Sequence, residues 1–419
     1  MSTTLKRYSQ LAVLTVSAGV IYPLLYLRQN FEVSILEAFG MTLKQLSQGY
    51  SILGLMFMLS YLPSGWLADR ISPKILIVFS LIMTGLLGVW FSTMPSVGAV
   101  QFIFFAWGIT TGLTFWSALI KAVTTIGQAN EQGRFFGIMD GGRGLVEAIL
   151  ATLAVGVFAY FLNSLGQSTE VALTRVIYIY IGALWLTAPL VFFLLDSPDP
   201  ETKTVTVEDD GAVKDSLITN LKFILSKPET WYSAIIILTS YQLFWATYSF
   251  SGYLQNIYGL SAVAVGTITV AKLWMRPIGG VAAGFAGDFL NRDSVLAILL
   301  IASSVSLAIL CFVPMGMAAA LLILIVLFIG FTTYALKGLY WATLESCGMP
   351  DKIKGLAIGV MSLIGFSPEI YLPMINSTLL ESYPGRQGYV IYFCGIAACG
   401  LIGAWAAWRL KKAVSLQSQ

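Results

Sequence analysis

Long apolar segments are the feature that most constrains the fold of this chain. Of its 419 residues, 57% are hydrophobic and only 11% are charged, whereas a soluble domain carries about 25% charged residues. A helix needs about 20 apolar residues to cross the hydrocarbon core of a bilayer. The sequence therefore predicts an all-α membrane protein with twelve transmembrane helices, here spans 1 to 12, at about 9–36, 45–67, 74–94, 98–121, 135–161, 172–195, 230–255, 261–285, 295–314, 317–343, 355–377 and 387–409.

A polar interval divides these spans into two sets of six. Residues 196–229 contain the run DSPDPETKTVTVEDDGAVKDS, whose acids, threonines and prolines are typical of a solvated linker. We therefore expect an N-terminal six-helix half over 1–195, a linker over 196–229 and a C-terminal six-helix half over 230–419. Most Lys and Arg residues between spans fall on the side that carries both termini, which predicts that both termini and the linker are cytoplasmic.

The two halves repeat short sequence patterns, which predicts pseudo-symmetry between them. Gly137-Ile-Met in span 5 is echoed by Gly359-Val-Met in span 11. The same separation along the chain relates Glu147 in span 5 to Glu369 in span 11. Two acids are thus expected at equivalent depths in equivalent helices.

Span 5 carries a stripe of charge. Asp140, Arg143 and Glu147 are spaced i, i+3 and i+7, so their side chains share one face of a helix. A charge costs about 2.5–3.5 kcal/mol or more at the middle of a bilayer, so such residues usually face a bundle interior or a wet cavity. We interpret the stripe as the lining of a polar path.

Span 8 supplies possible partners for this stripe. Lys272 and Arg276 are i, i+4 and share a helix face. They are therefore candidate partners for the acids of span 5.

The sign of the deeper charges favours an anionic substrate. The positive candidates for substrate binding are Arg28, Arg143, Lys272, Arg276 and Lys337, and the negative candidates for coupling or gating are Asp140, Glu147 and Glu369. An anion would relieve the excess of positive charge, and the arginine fork suits phosphate, carboxylate or sulfonate. Because the chain has no His, proton coupling would fall to Glu147 or Glu369. The aromatic and amide candidates for the cavity wall are Tyr22, Tyr26, Trp116, Gln242, Trp245 and Tyr340.

The segment from Gly65 to Lys74, GWLADRISPK, resembles the loop 2–3 signature of the major facilitator superfamily. The resemblance implies the major facilitator fold and alternating access between two rocking halves. It also implies that the charged residues of this loop, and their counterparts after span 8, act as cytoplasmic gating residues: Asp69, Arg70, Lys74, Asp288 and Arg292.

In the fold that this resemblance implies, spans 5 and 8 pack together across the interface between the halves. This implies inter-half ion pairs of Asp140 with Arg276 and of Glu147 with Lys272 that exchange partners as the halves move. The alternative is that these charges only neutralise one another.

A second segment, Tyr26-Leu-Arg28-Gln-Asn30-Phe31, resembles span 1 of the organophosphate:phosphate antiporter family. In that family the span 1 arginine binds the substrate phosphate, which implies the same role for Arg28; the alternative is an arginine that snorkels to the outer interface. Span 7 lacks the arginine of those antiporters. The basic residues of span 8 instead resemble nitrate/nitrite carriers, so the anion stays open among organic phosphates, carboxylates, sulfonates and similar solutes.

These observations predict a monomeric secondary transporter of the bacterial inner membrane that moves a small anion, coupled to protons or a counter-anion. Its expected partners are the substrate and the lipid bilayer, with no cofactor or metal, and the net charge of +3 is too small to indicate nucleic acid binding. One alternative is a proton-coupled symporter or exporter of a neutral or cationic solute. A membrane enzyme or receptor is another alternative. The sequence offers no His, metal-ligand cluster or nucleophile elbow in favour of an enzyme, and no soluble sensing domain in favour of a receptor.

Overall fold

The computed structural model describes residues 3–127, 131–196, 217–314, 319–347, 349 and 351–417, and the regular structure in these ranges is helical. The N-terminal half contains span 1 (Thr3–Val20 and Arg28–Phe39), span 2 (Leu43–Arg70), span 3 (Pro73–Phe91), span 4 (Val97–Gly108, a π-helical segment Ile109–Trp116, and Ser117–Ile126), span 5 (Gln132–Ala159 with a π-helical end Tyr160–Ser164) and span 6 (Thr169–Leu194).

A short helix, Leu217–Ser226, lies within the predicted linker. The C-terminal half then contains span 7 (Pro228–Ala246, a 3₁₀ turn Thr247–Ser249, and Phe250–Tyr258), span 8 (Ala262–Phe289), span 9 (Arg292–Phe312), span 10 (Ala319–Leu339, a 3₁₀ turn Tyr340–Ala342, and Thr343–Ser346), span 11 (Asp351–Gly365 and Pro368–Ser382) and span 12 (Arg386–Gln417). The prediction of twelve helices in two halves is confirmed.

Length and composition alone identify fewer spans. Among the described residues, eight helices are long and apolar enough to cross a membrane, and span 2 makes a ninth when its bent halves, Leu43–Ser60 and Pro63–Arg70, count as one. Spans 1, 7 and 8 fall outside this set. Spans 1 and 7 are interrupted by non-α segments, and all three carry polar residues that face the interior.

Equivalent helix caps occur in both halves, where span 1 gives way to span 2 and where span 7 gives way to span 8. Span 1 ends at Gly40 (φ 58°) and span 7 at Gly259 (φ 65°), a left-handed conformation that glycine adopts without steric cost. Thr42 then caps span 2 by accepting from the Gln45 amide, and Ser261 caps span 8 in the same way. These matched caps support the predicted internal repeat.

The interface between the halves is formed by span 5 against span 8 and by span 2 against span 11. Close approach depends on glycine at the charged positions. A Cβ on Gly144 would lie 2.9 Å from Cδ of Arg276, and a Cβ on Gly54 would lie 2.9 Å from Cγ of Glu369. The two contacts are equivalent, since the offset that relates Glu147 to Glu369 also relates Gly54 to Arg276.

Helix breaks occur where the spans line the space between the halves. Span 1 is non-helical over 21–27, span 7 has its 3₁₀ turn at Thr247–Ser249, and span 11 restarts at Pro368. Proline lacks an amide N–H and is tolerated as the first residue of a helix. In span 4 the π-helical segment ends at Trp116, and such segments often occur at functional sites.

Residues 197–216 of the predicted linker lie outside the described residues. Asp196, just before them, accepts from Lys6 Nζ at 2.9 Å and from Gln10 Nε2 at 2.8 Å. These two contacts, the one from Lys6 first, lower the pKa of the Asp196 carboxyl. They tie the start of span 1 to the end of span 6.

Candidate functional site

A central cavity of about 1800 Å³ lies between the two halves. One end is lined by the loop 65–73, where Asp69 and Arg70 are exposed, and the other by the buried Gln29 and Asn30 of span 1; we call these the open end and the narrow end. The inner walls of the cavity include Tyr22, Tyr26, Gln29, Asn30, Trp116, Asp140, Arg143, Glu147, Tyr241, Phe244, Tyr248, Arg276, Tyr334, Lys337, Tyr340 and Glu369. The stripe predicted on span 5 therefore lines this cavity.

Glu147 joins two guanidinium groups from opposite halves. Its Oε1 accepts from Nε of Arg143 at 3.0 Å, and its Oε2 accepts from Nη1 of Arg276. Arg276 also reaches Oδ1 of Asp140 at 3.4 Å, which confirms the predicted Asp140–Arg276 pair. The Glu147 side chain is 12% exposed and that of Arg276 is 13% exposed, so the bridge is largely shielded from water.

The predicted pair of Glu147 with Lys272 is wrong. Lys272 is fully buried and its side chain contacts span 7 instead of span 5. Its Nζ donates to Oγ1 of Thr247 at 2.9 Å and lies 3.4 Å from the Thr247 carbonyl. The aliphatic part of the Lys272 side chain packs against Gly330, where an added Cβ would clash with Cγ of Lys272. Lys272 lies four positions before Arg276 and on nearly the same helix face, but its ammonium binds the 3₁₀ turn of span 7. Lys272 is thus outside the cavity wall.

Arg28 is also outside the cavity wall. It is 2% exposed, its Nε donates to Glu32 at 2.5 Å, and its Nη2 donates to Asn376 Oδ1 at 2.8 Å. Sequence reasoning missed Glu32 as the partner of Arg28, although the i, i+4 spacing of the two residues predicts such an ion pair. Arg28 therefore neither snorkels nor faces the cavity, and its charge is neutralised.

The bond from Arg28 to Asn376 joins span 1 to span 11, so it closes the narrow end of the cavity across the two halves. The Glu32 amide adds a bond to Ser251 Oγ of span 7 at 3.4 Å. Glu32 also packs on Gly252, where no Cβ could be accommodated. This end of the molecule is tightly closed.

Lys337 is a cation of the cavity wall without a carboxylate within ion-pair distance among the described residues. Its Nζ lies 3.8 Å from the ring centroid of Phe244 and 5.7 Å from that of Tyr241. A cation over an aromatic face keeps a favourable contact that is weaker than an ion pair. Lys337 is therefore available to a ligand.

Glu369 is a carboxylate of the cavity wall that accepts hydrogen bonds from two tyrosines. The hydroxyl of Tyr26, from the other half, and that of Tyr241, at 3.1 Å, donate to it. Glu369 is 4% exposed. By the internal repeat, Gly54 takes the position beside Glu369 that Arg276 takes beside Glu147. The pseudo-symmetric acids thus differ: one neutralises two cations and the other meets neutral hydroxyls.

Aromatic rings complete the wall. Arg143 lies with its guanidinium carbon 4.8 Å from the ring of Tyr22 and 5.8 Å from that of Trp116. Tyr26 stacks on Tyr50 at 6.0 Å and on Tyr248 at 5.5 Å. Of these, Tyr248 was missed by sequence reasoning, as were Tyr241 and Tyr334, because aromatic residues at helical spacing more often only pack.

Two predicted wall residues lie behind the wall. Gln242 donates to the Tyr371 hydroxyl at 2.9 Å. Trp245 is 2% exposed and packs edge-on to Tyr26 and Tyr50, with ring centroids 6.3 Å apart in both cases. They support the surface of the cavity from outside it.

The predicted gating residues lie at or near the open end. Asp69 pairs with Lys121 at 3.0 Å, which links spans 2 and 4, and Arg70 lies 4.0 Å from the ring of Trp66. Lys74 lies 4.9 Å from the ring of Phe192, away from the cavity. Of the counterparts after span 8, the Asp288 side chain lies outside the described residues, and Arg292 begins span 9.

Alanine at Gly144 is expected to push the Arg276 side chain out of place and to weaken its bond to Glu147. Overpacking of this kind costs about 1–3 kcal/mol of folding stability. We expect a lower unfolding temperature and slower transport. Gly141→Ala is the matched control on the same helix, because a Cβ there meets nothing within 4 Å. Equal behaviour of the two variants would contradict the packing argument.

A helical bundle of two halves around a central cavity closed at one end defines a membrane carrier. The chain matches the family model of the Major Facilitator Superfamily over residues 11–373. It therefore belongs to the major facilitator superfamily and is a multi-pass membrane transporter, not an enzyme.

Relatives and solved structures agree with this assignment. The chain is 30% identical over 408 residues to the inner membrane protein YqcE of Escherichia coli K12, covering 95% of this chain and 93% of that protein. It is 28% identical over 424 residues to the inner membrane protein YihN of the same strain, covering 98% and 97%.

The fold resembles that of the nucleoside transporter NupG, with a TM-score of 0.72 and 14% identity over 96% of this chain and 98% of that one. A bacterial homologue of the human lysosomal transporter Spinster, in an inward-facing and unoccupied conformation, gives a TM-score of 0.71 at 14% identity over 97% and 98%. At this identity the likeness extends to the fold alone.

Proposed function

We propose that this transporter carries a small organic anion together with a proton, by alternating access of the central cavity. The observation that carries the proposal is Lys337, an ammonium in the cavity wall that has no carboxylate partner within the part of the chain that the structure describes. A carboxylate, phosphate or sulfonate would give it the partner that it lacks. Arg143, which reaches the same cavity between Tyr22 and Trp116, is the second ligand of the anion.

Charge balance supports coupling to a proton. The inner cavity combines three cations with three carboxylates: Arg143, Arg276, Lys337, Asp140, Glu147 and Glu369. A lone anion would add net negative charge to this shielded space, which is costly. A monovalent anion that enters with one proton leaves the total unchanged, and a phosphate monoester does so in its singly charged form. Glu369 is the proton acceptor, because it can be neutralised without leaving a cation of an ion pair unpaired.

The positive-inside argument assigns the open end of the cavity to the cytoplasm, so we infer an inward-facing state in the bacterial inner membrane. The closed end, where Arg28 binds Glu32 and Asn376, is then the outer gate. In this proposal Arg28 is a gate residue and not a substrate ligand, which departs from the role in the organophosphate antiporters. The likeness to that branch supports only the choice of an anion.

Replacing Lys337 with methionine is expected to slow anion uptake by about tenfold to a hundredfold, the value of one charge-assisted hydrogen bond. Uptake of labelled carboxylates, phosphates and sulfonates into proteoliposomes measures it, with a proton gradient imposed. Lys222→Met, on the exposed short helix before span 7, controls for the loss of any lysine.

A second candidate function is transport of a cationic solute. Glu369 faces the cavity beside the rings of Tyr26 and Tyr241, and a carboxylate flanked by aromatic faces suits an ammonium group. The same uptake panel separates the two. Uptake of a cation that survives Lys337→Met and is lost in Glu369→Gln would support this second function and contradict the first.

A further inference from the structure

Five buried polar side-chain atoms without a close partner occur at the narrow end of the cavity or behind its wall. Among the described residues, no hydrogen-bond partner within 3.5 Å is found for Nε2 of Gln29, which faces the Tyr334 hydroxyl, Oδ1 of Asn30, Oε1 of Gln242, Nε1 of Trp245 and Nδ2 of Asn376. All five side chains are more than nine-tenths buried. We refer to these five residues as the polar collar.

The members of the polar collar are linked through shared neighbours. Asn376 accepts a hydrogen bond from Arg28, which directly precedes Gln29 in the chain. Trp245 packs on the ring of Tyr26, and Gln242 lies about one helical turn before it on span 7. Gln29 and Asn30 belong to the cavity lining, at its closed end. The collar therefore continues the cavity beyond its present floor.

Such a concentration of unsatisfied groups is unusual. Most buried polar atoms in proteins are hydrogen-bonded, because leaving one unpaired costs free energy. Here donors and acceptors occur together and come from both halves, with Gln29 and Asn30 on span 1 and the other three on spans 7 and 11. Rocking of the halves would separate the two groups and expose their atoms to the cavity.

We propose that the polar collar binds the hydroxyl groups of the substrate, so that the substrate is a hydroxylated organic anion. The inference rests on the proposed function, in which Lys337 and Arg143 bind the acid group. A hydroxyl both donates and accepts, so it matches a mixed set of amide nitrogens and oxygens. The aromatic rings between collar and charges, among them Tyr26 and Tyr248, suit the apolar C–H faces of such a molecule.

The test compares acids that differ only in their hydroxyl groups. The pairs are gluconate with hexanoate, glycerol 3-phosphate with propyl phosphate, and 2-hydroxyethanesulfonate with ethanesulfonate. Thermal stabilisation of the purified protein and competition for uptake in proteoliposomes are the readouts. We expect the hydroxylated member of at least one pair to bind about tenfold or more tightly than its partner, since a site built for hydroxyls rejects analogues without them.

Two variants then assign the preference to the collar. Asn30→Leu and Gln242→Met keep side-chain size but remove the amide, and Ser303→Ala removes another buried unpartnered polar atom, on span 9. We expect the first two to reduce the preference to threefold or less while the protein stays folded; Gln242→Met also loses its bond to the Tyr371 hydroxyl, so Asn30→Leu is the cleaner of the two. Ser303→Ala should keep the wild-type preference.

Two results would overturn the inference. One is equal binding of both members of every pair, or no binding of any hydroxylated member. The other is an unchanged preference in both Asn30→Leu and Gln242→Met. Anion binding that depends on Lys337 but ignores hydroxyl groups would reject the collar subsite and leave the proposed function intact, whereas the absence of any anion binding would reject both.

Discussion

Glutamine in place of Glu147 is expected to abolish transport and to lower the free energy of unfolding by about 3–5 kcal/mol, the usual cost of breaking a buried ion pair from one side. The carboxylate bonds Arg143 in one half and Arg276 in the other. Without its charge, two guanidinium groups face each other across a shielded interface, with only Asp140 to offset them.

The measurement is denaturant unfolding of the purified variant in detergent, combined with uptake in proteoliposomes. Glu170→Gln, an exposed acid in the first turn of span 6, is the matched control and should behave as wild type. A Glu147→Gln protein with normal stability and normal uptake would show that the bridge is dispensable.

Glutamine in place of Glu369 is expected to uncouple the transporter. The amide resembles the protonated acid and can still bond the hydroxyls of Tyr26 and Tyr241, so the fold and the binding site should persist. It cannot exchange a proton. Accumulation driven by a pH gradient should therefore fall to background, while exchange of labelled for unlabelled substrate at equal pH should stay within about threefold of wild type.

If the variant loses both exchange and accumulation, Glu369 belongs to the substrate site instead of the coupling site. Normal accumulation in the variant would exclude it from coupling altogether. Tyr241→Phe is an informative companion, because it removes one hydroxyl that orients Glu369 while leaving the carboxylate, and we expect it to shift the pH dependence of uptake without abolishing uptake.

The sequence predicted the fold and half of the charge network, because both follow from short-range patterns. The length of the apolar segments identifies most of the spans, and the i, i+3, i+7 spacing puts Asp140, Arg143 and Glu147 on one face. The loop after span 2 identified the superfamily. The Asp140–Arg276 pair followed from placing spans 5 and 8 side by side.

The errors arose where side-chain direction decides the outcome. Lys272 shares a face with Arg276, yet its long stem turns past Gly330 to the break in span 7. Arg28 lies beyond the cavity floor, paired with a glutamate that the charge count left out. The count of five cations against three acids therefore overstated the positive charge of the cavity. What favours an anion is that Lys337 meets no carboxylate among the residues that the structure describes, and this depends on contacts between distant spans.

The most direct test of the central claim, that a substrate anion binds Lys337, is calorimetric titration of wild type and Lys337→Met with the anion that proteoliposomes take up best. Our account predicts that the dissociation constant rises at least about tenfold in the variant, while Lys222→Met leaves it unchanged. Equal affinity of wild type and Lys337→Met for that anion would contradict it.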